Sequence, residues 1–360
     1  MKRRHFETLR PVCPVCRSSR RADSPLTLFK VSREENGHIL EGVIHCSHAQ
    51  CQHEYPIIDG IPILVANLRQ YVADNLQAIT QQRDHGALVE SMLGDCCGPD
   101  SLFGQTRQYL SSYTWDHYGD LDPVETCTDP LPGSMLRTLE AGIEATGLLP
   151  EGPLLDVGCS VGRGSFALAG RSRSLILGID LNFSMLRVAA QVLREGKVRY
   201  ARRRVGIVYD RREFPVDFPG ADNVDFWACD ASALPFPAGS FSFATALNVL
   251  DCVPMPHEFL SSLGRILKPS GKLLLSCPYD WASSATPVEA WLGGHSQRTT
   301  TAGASEAVLR ALLTPGAHPN SLSSLKLHAE RDDLPWHVRL HDRSTMSYRL
   351  HLTVATAQPA

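Results

Sequence analysis

Short apolar runs alternate with longer amphipathic stretches through the second half of this chain, and the runs end or turn on acids. LLDVGCSVGRG (Leu154 to Gly164) carries Asp156 inside its run and then a cluster of glycines. SLILGID ends on Asp180, NVDFWACDA turns on Asp230, FSFATALNVLDCV follows a proline-rich turn, and KPSGKLLLSCPYD makes a fifth run. Helical periodicity fills the gaps at Ser134 to Gly147, Ser184 to Glu195 and His257 to Leu267. Strands alternating with helices predict a parallel sheet with helices on both faces. Two β-rich runs between Leu325 and Thr356 are expected to close that sheet as a hairpin.

The chemistry sits on the first run. A strand-to-helix turn that brings backbone N–H groups against a cofactor needs positive φ and no Cβ in the way, which Gly158, Gly162 and Gly164 supply. Asp180, at a strand's carboxyl end, is placed to accept hydrogen bonds from two ribose hydroxyls. Asp156 repels a pyrophosphate but suits a cationic ligand. These motifs resemble the class I S-adenosylmethionine-dependent methyltransferase family, with Ser160 at the middle glycine position. The resemblance implies a Rossmann-like α/β fold and a cofactor set of Asp156, Gly158, Ser160, Gly162, Asp180, Asp230, Ala231 and Asn248, with S-adenosyl-L-methionine as cofactor.

At the other end, Cys13-Pro-Val-Cys16 and Cys46-Ser-His-Ala-Gln-Cys51 are two tight pairs whose thiolates can surround one tetrahedral zinc. His45, His48 and His53 lie close enough to substitute, His48 foremost. Buried unligated thiols and a disulfide are the competing readings; no secretory segment precedes these residues, which argues against the disulfide. YPIIDGIPILV (Tyr55 to Val65) resembles the closing strand of a small zinc-ribbon family that is fused to methyltransferases or binds them as a separate subunit. This implies a ribbon over 1–66, a helical linker over 67–131 and a methyltransferase domain over 132–360, with the ribbon a surface for a protein partner.

The linker ends in SSYTWDHYGDL, where Tyr113, Trp115 and Tyr118 are placed to wall the methyl-donor pocket. The remaining cysteines, Cys96, Cys97, Cys127, Cys159, Cys229, Cys252 and Cys277, read mostly as small hydrophobes. A net charge of -3 disfavours a polyanionic partner, and no apolar run is long enough to cross a bilayer. We therefore expect a cytoplasmic enzyme without a membrane partner.

The segments GCSVGRGSFALA, ALNVLDCVPMPHEFL, SCPYDW, EAWLGG and DLPWHVRLHDR are similar to the methyltransferase domain of the ovothiol biosynthesis family. That resemblance implies a small-molecule acceptor, an imidazole nitrogen of a histidine-derived thiol. Asp251 and Tyr279, following the fourth and fifth strands, are then the catalytic candidates. Asp280 sits beside them, and Arg163 is placed to bind a carboxylate. Two alternatives stand. The basic ARRRVGIVYDRR segment (201–212) would serve a zinc-ribbon RNA methyltransferase, and Ser160 could mark a non-catalytic scaffold that docks a protein.

Overall fold

The computed structural model describes residues 1–19, 23–81, 85–126 and 129–359; Cys127 lies outside them. The N-terminal part holds helices α1 (Arg3–Leu9) and α2 (Pro14–Ser18) and strands β1 (Leu26–Glu35), β2 (His38–Cys46), β3 (Glu54–Ile58) and β4 (Ile61–Leu64). Helices α3 (Leu68–Thr80), α4 (Ala87–Cys96) and α5 (Leu102–Tyr118) follow. The core then runs α6 (Ser134–Thr146), β5 (Leu154–Val157), α7 (Arg163–Ala169), β6 (Ile176–Asp180), α8 (Phe183–Glu195), β7 (Lys197–Val205), β8 (Val208–Pro215) and β9 (Val224–Cys229). It ends with β10 (Phe241–Leu247), α9 (Pro256–Ile266), β11 (Leu267–Cys277), α10 (Ser305–Leu312), β12 (Leu325–His341) and β13 (Ser344–Ala357).

Eleven strands form one sheet in the order β1-β2-β3-β4-β9-β6-β5-β10-β11-β13-β12, while β7 and β8 pair by themselves. Strands β4, β9, β6, β5, β10 and β11 are parallel neighbours, and β13 returns antiparallel to β11. The strands read as unbroken apolar runs because both faces are covered. Along β9, Val224, Phe226 and Ala228 enter one core, and Trp227 and Cys229 the other.

Local signals set the helix ends. The Asn182 side chain accepts from Met185 N–H to start α8, and Gly196 ends it at φ +59°. Helices α4 and α5 occupy the later part of the linker despite its Gly, Pro and Asp content. The reason is tertiary, since the last two turns of α5 are buried from Ser111 to Tyr118 apart from Tyr113.

The sheet also runs straight through the boundary expected at residue 66. Ile63 and Leu64 of β4 pair with Ala228 and Cys229 of β9. Asp225 accepts from Lys2 N–H at 2.8 Å and from the Trp227 indole at 2.9 Å, and Phe6 packs on Trp227. Trp227→Ala empties this seam and should cost about 3–5 kcal/mol. We predict that β2 and β5 lose hydrogen-exchange protection at the same denaturant concentration in the wild type. Separate transitions would show that the seam does not couple them.

Candidate active site

Strand order reverses at β5, whose neighbours are β6 on one side and β10 on the other, so the carboxyl ends of these strands part to leave a crevice. A cavity of about 620 Å³ fills it. The turn after β5 forms its floor. Gly158 (φ +68°) has no room for a Cβ, which would lie 2.5 Å from Val249, and Ser160 itself takes φ +52°. The Asp180 carboxylate holds this strained turn by accepting from Ser160 N–H at 2.9 Å and from Asn182 N–H at 2.8 Å.

Asp156, Gly158, Ser160, Asp180, Asp230, Ala231, Asn248 and Asp251 all line the cavity. Asp156 accepts from Ser165 Oγ (2.7 Å) and Thr245 Oγ (2.9 Å), and burial pushes its carboxyl up to about 6. Asp230 caps the turn over 231–233 through Ser232 N–H. Asn248, at φ +56°, accepts from Ser276 Oγ at 2.8 Å. Asp251 accepts from Asp280 N–H at 2.8 Å, and its burial raises its pKa.

Of the cofactor and catalytic candidates, Gly162 and Tyr279 are not brought to the cavity. A Cβ on Gly162 would sit 2.7 Å from the Phe226 ring and 2.8 Å from Ala189, so its glycine serves close packing of the turn. Tyr279 takes φ +57° and packs its ring near Trp281, with its hydroxyl 2.7 Å from His351 Nδ1. The lining residues around it are Pro278 and Asp280. Arg163 is likewise occupied: it pairs with Asp120 at 3.1 Å and stacks on Phe218.

Helix α5 roofs the cavity, with only Tyr113 of the three aromatics expected. At 100° per residue, positions 109, 112, 113 and 117 share a face. Tyr109, Ser112, Tyr113 and His117 line the cavity, whereas Trp115 donates to Glu125 and Tyr118 to Val161 O. Burial pushes the His117 imidazole down to about 3, with the Arg163 charge adding to the effect. The opposite wall is the β12–β13 hairpin. Trp336 pairs with Tyr348 and Val338 with Met346, and all four line the cavity with Leu340. The alternation of 336, 338 and 340 is the strand signal that marks them. The 3.6 period on α5 is the corresponding signal for His117.

At the N-terminal end, Cys13, Cys16, Cys46 and Cys51 place their sulfurs within 4.8 Å of one another. Two of the separations are 3.7 and 3.8 Å. A tetrahedron with Zn–S of about 2.3 Å has edges of about 3.8 Å, so the set fits zinc. His48 stands outside it and accepts from Gln50 N–H through Nδ1. Among the other described cysteines, Cys96 and Cys252 are exposed, unlike the apolar burial expected.

Residues 155–275 match the family model described as a methyltransferase domain. The chain is 25% identical over 176 residues to methyltransferase GfsG of Streptomyces halstedii, covering 48% of this chain and 55% of that protein. It is 34% identical over 108 residues to the ubiquinone/menaquinone biosynthesis C-methyltransferase UbiE of Pseudoalteromonas translucida, 30% of this chain and 34% of that one. The chain thus spans from about a third to just over half of these relatives. A chain of the solved "Complex between the Haloferax volcanii Trm112 methyltransferase activator and the putative methyltransferase" aligns at 16% identity with a TM-score of 0.41, covering 70% of this chain and 97% of that one.

The site generates a pH prediction. The Asp156 pKa of about 6 in the fold lies above its ordinary value of 3.8, so the ionised carboxylate is disfavoured by folding and the cost is fully present above about pH 6. A cationic ligand favours the ionised form. The affinity for S-adenosylhomocysteine, which carries an ammonium group, should therefore be flat above pH 7 and fall below about pH 6, by at most about tenfold per pH unit. Calorimetric titration from pH 5 to 8 measures this, with Asp156→Asn flattening the profile. Affinity independent of pH down to 5 would remove Asp156 from the cofactor site.

Proposed function

We propose that the protein is an S-adenosylmethionine-dependent methyltransferase of small molecules. The acceptor in this reading is an imidazole nitrogen of a histidine-derived thiol, as in ovothiol-type chemistry. The observation that carries the reading is the cavity itself: a glycine turn too tight for side chains, flanked by Asp156, Asp180 and Asp230 at successive strand ends. The narrower choice of acceptor rests on the resemblance of the GCSVGRGSFALA, SCPYDW, EAWLGG and DLPWHVRLHDR segments.

S-adenosylmethionine, when bound, supplies an electrophilic methyl group on a sulfonium. Asp180 and Asp230 would hold its ribose and adenine, and Asp156 and Ser160 its charged tail. The protein's remaining task is alignment in a water-poor space, which α5 and the β12–β13 hairpin provide by covering the floor. Asp251 or Asp280 would take one ring N–H of an imidazole. That choice of tautomer leaves the lone pair of the other nitrogen free to attack.

The RNA reading is weakened by where the basic segment spends its charge. Arg202 pairs with Glu125 and Asp342, Arg204 with Asp210, Arg211 with Glu213 and Arg212 with Asp122. Little free positive charge is left to attract phosphates.

Two experiments test the proposal. In a methyl-transfer assay across mercaptohistidine, histidine, other imidazoles, thiols and RNA, an imidazole should be the best acceptor. Asp251→Asn should lower its turnover at least tenfold, and Tyr279→Phe should change it less than threefold, about 0.6 kcal/mol. RNA as the preferred acceptor would overturn the reading. We also propose that the cysteine set binds one zinc, lost in Cys13→Ser with Cys16→Ser. Because β4 is a strand of the main sheet, that variant should also lower the unfolding midpoint of the whole chain. Metal analysis of the purified protein showing no zinc would refute the site.

A further inference from the structure

The acceptor half of the cavity has a charge pattern that the methyltransferase reading does not itself require. Among the described residues, no Lys or Arg lines the cavity, while Asp156, Asp180, Asp230, Asp251 and Asp280 do. The first three sit at β5, β6 and β9, on the cofactor side of the switch point. Asp251 and Asp280 follow β10 and β11, on the other side.

The hydrogen bonds of these two acids leave acceptor capacity unspent. Asp251 is 3% exposed; one oxygen accepts from Asp280 N–H at 2.8 Å, and the Cys252 and Cys277 thiols also approach the carboxylate. Asp280 accepts from Tyr348 OH at 2.9 Å. A carboxylate offers about four lone-pair sites, so each can take further donors. Tyr113, Trp336 and Tyr348 line the same cavity.

Helix α5 adds polar residues to the same lining. Ser112 and His117 are each 4% exposed and line the cavity, yet Ser112 Oγ and His117 Nδ1 have no hydrogen-bond partner in the protein. Buried polar atoms are rarely left unpaired unless something else satisfies them.

Resting on the methyltransferase reading, we propose that the acceptor enters with a positively charged or N–H-donating nitrogen directed at Asp251 and Asp280. The site thereby selects small molecules that bring an ammonium or basic nitrogen over phosphorylated ones and over carboxylates that lack an ammonium group. A phosphate would face two carboxylates with no cation in the lining to offset them. An ammonium or imidazolium finds two carboxylates and an aromatic wall, the environment that favours organic cations.

The test uses the full chain saturated with S-adenosylhomocysteine and two ligand pairs matched in shape but opposite in charge: histamine with imidazole-4-acetate, and tyramine with 4-hydroxyphenylacetate. Calorimetry should show the cation binding at least tenfold more tightly than its anionic twin in at least one pair. Asp280→Asn, at an exposed position, should reduce that preference to within about threefold, and Asp251→Asn should do the same while still binding S-adenosylhomocysteine. Absence of a cation preference in both pairs overturns the proposal, as does a preference that survives both substitutions. A preference confined to the tyramine pair would uphold the charge selection and sink the imidazole reading. Methylated imidazoles with no charge preference would do the reverse.

Discussion

The cavity depends on one buried arginine. A doubly wound sheet supplies only a floor; the roof comes from α5 and the wall from β12–β13, more than two hundred residues apart in sequence. The β7–β8 arm joins them. Arg202, on β7, donates to both oxygens of Glu125 at 2.7 and 2.8 Å and to Asp342 at 2.7 Å. Glu125 also receives the Trp115 indole of α5, Arg203 N–H donates to Ser111 Oγ of the same helix, and Arg339 of β12 donates to Arg203 O. The guanidinium and Glu125 are almost fully buried, so removing either partner leaves an uncompensated charge, at a cost of about 3–5 kcal/mol. An arm that reads in the sequence as a basic patch is thus the pin that holds the cavity's roof and wall together.

Charge then divides the enclosed volume. The glycine turn is short of side chains because Val249 and Asp156 occupy the places where Cβ atoms would go at 158 and 164. Asp180 spends its carboxylate fixing that turn. What lies on the β9–β6–β5 side suits a ribose, an adenine and a cationic tail, and what lies on the β10–β11 side suits a second cation or N–H donor. With five aspartates and no Lys or Arg among the described lining residues, such a site fits a cationic cofactor and a basic acceptor better than a phosphorylated ligand.

Much of this was legible in the sequence for a physical reason. Strands buried on both faces are apolar runs, and acids at their ends break the runs visibly, so β5, β6, β9 and β10 with Asp156, Asp180, Asp230 and Asp251 could be read one by one. The cysteine pairs were equally local. What failed was anything set by direction or by distant contact. Tyr279 stands in the right loop, but its positive φ turns it toward His351. Trp115 and Tyr118 belong to a helix whose other face, with Ser112 and His117, meets the cavity. The merger of the ribbon with the main sheet rests on β4 pairing with β9, more than 150 residues away, which no local pattern announces.

The central claim is that the crevice beneath α5 is where the cofactor binds. Hydrogen exchange of the full chain with and without S-adenosylhomocysteine tests it most directly. The account predicts new protection at 158–164, 180–182 and 230–232 together with the last two turns of α5, the floor and roof of one cavity. No protection in those segments, or protection confined to other parts of the chain, would contradict it.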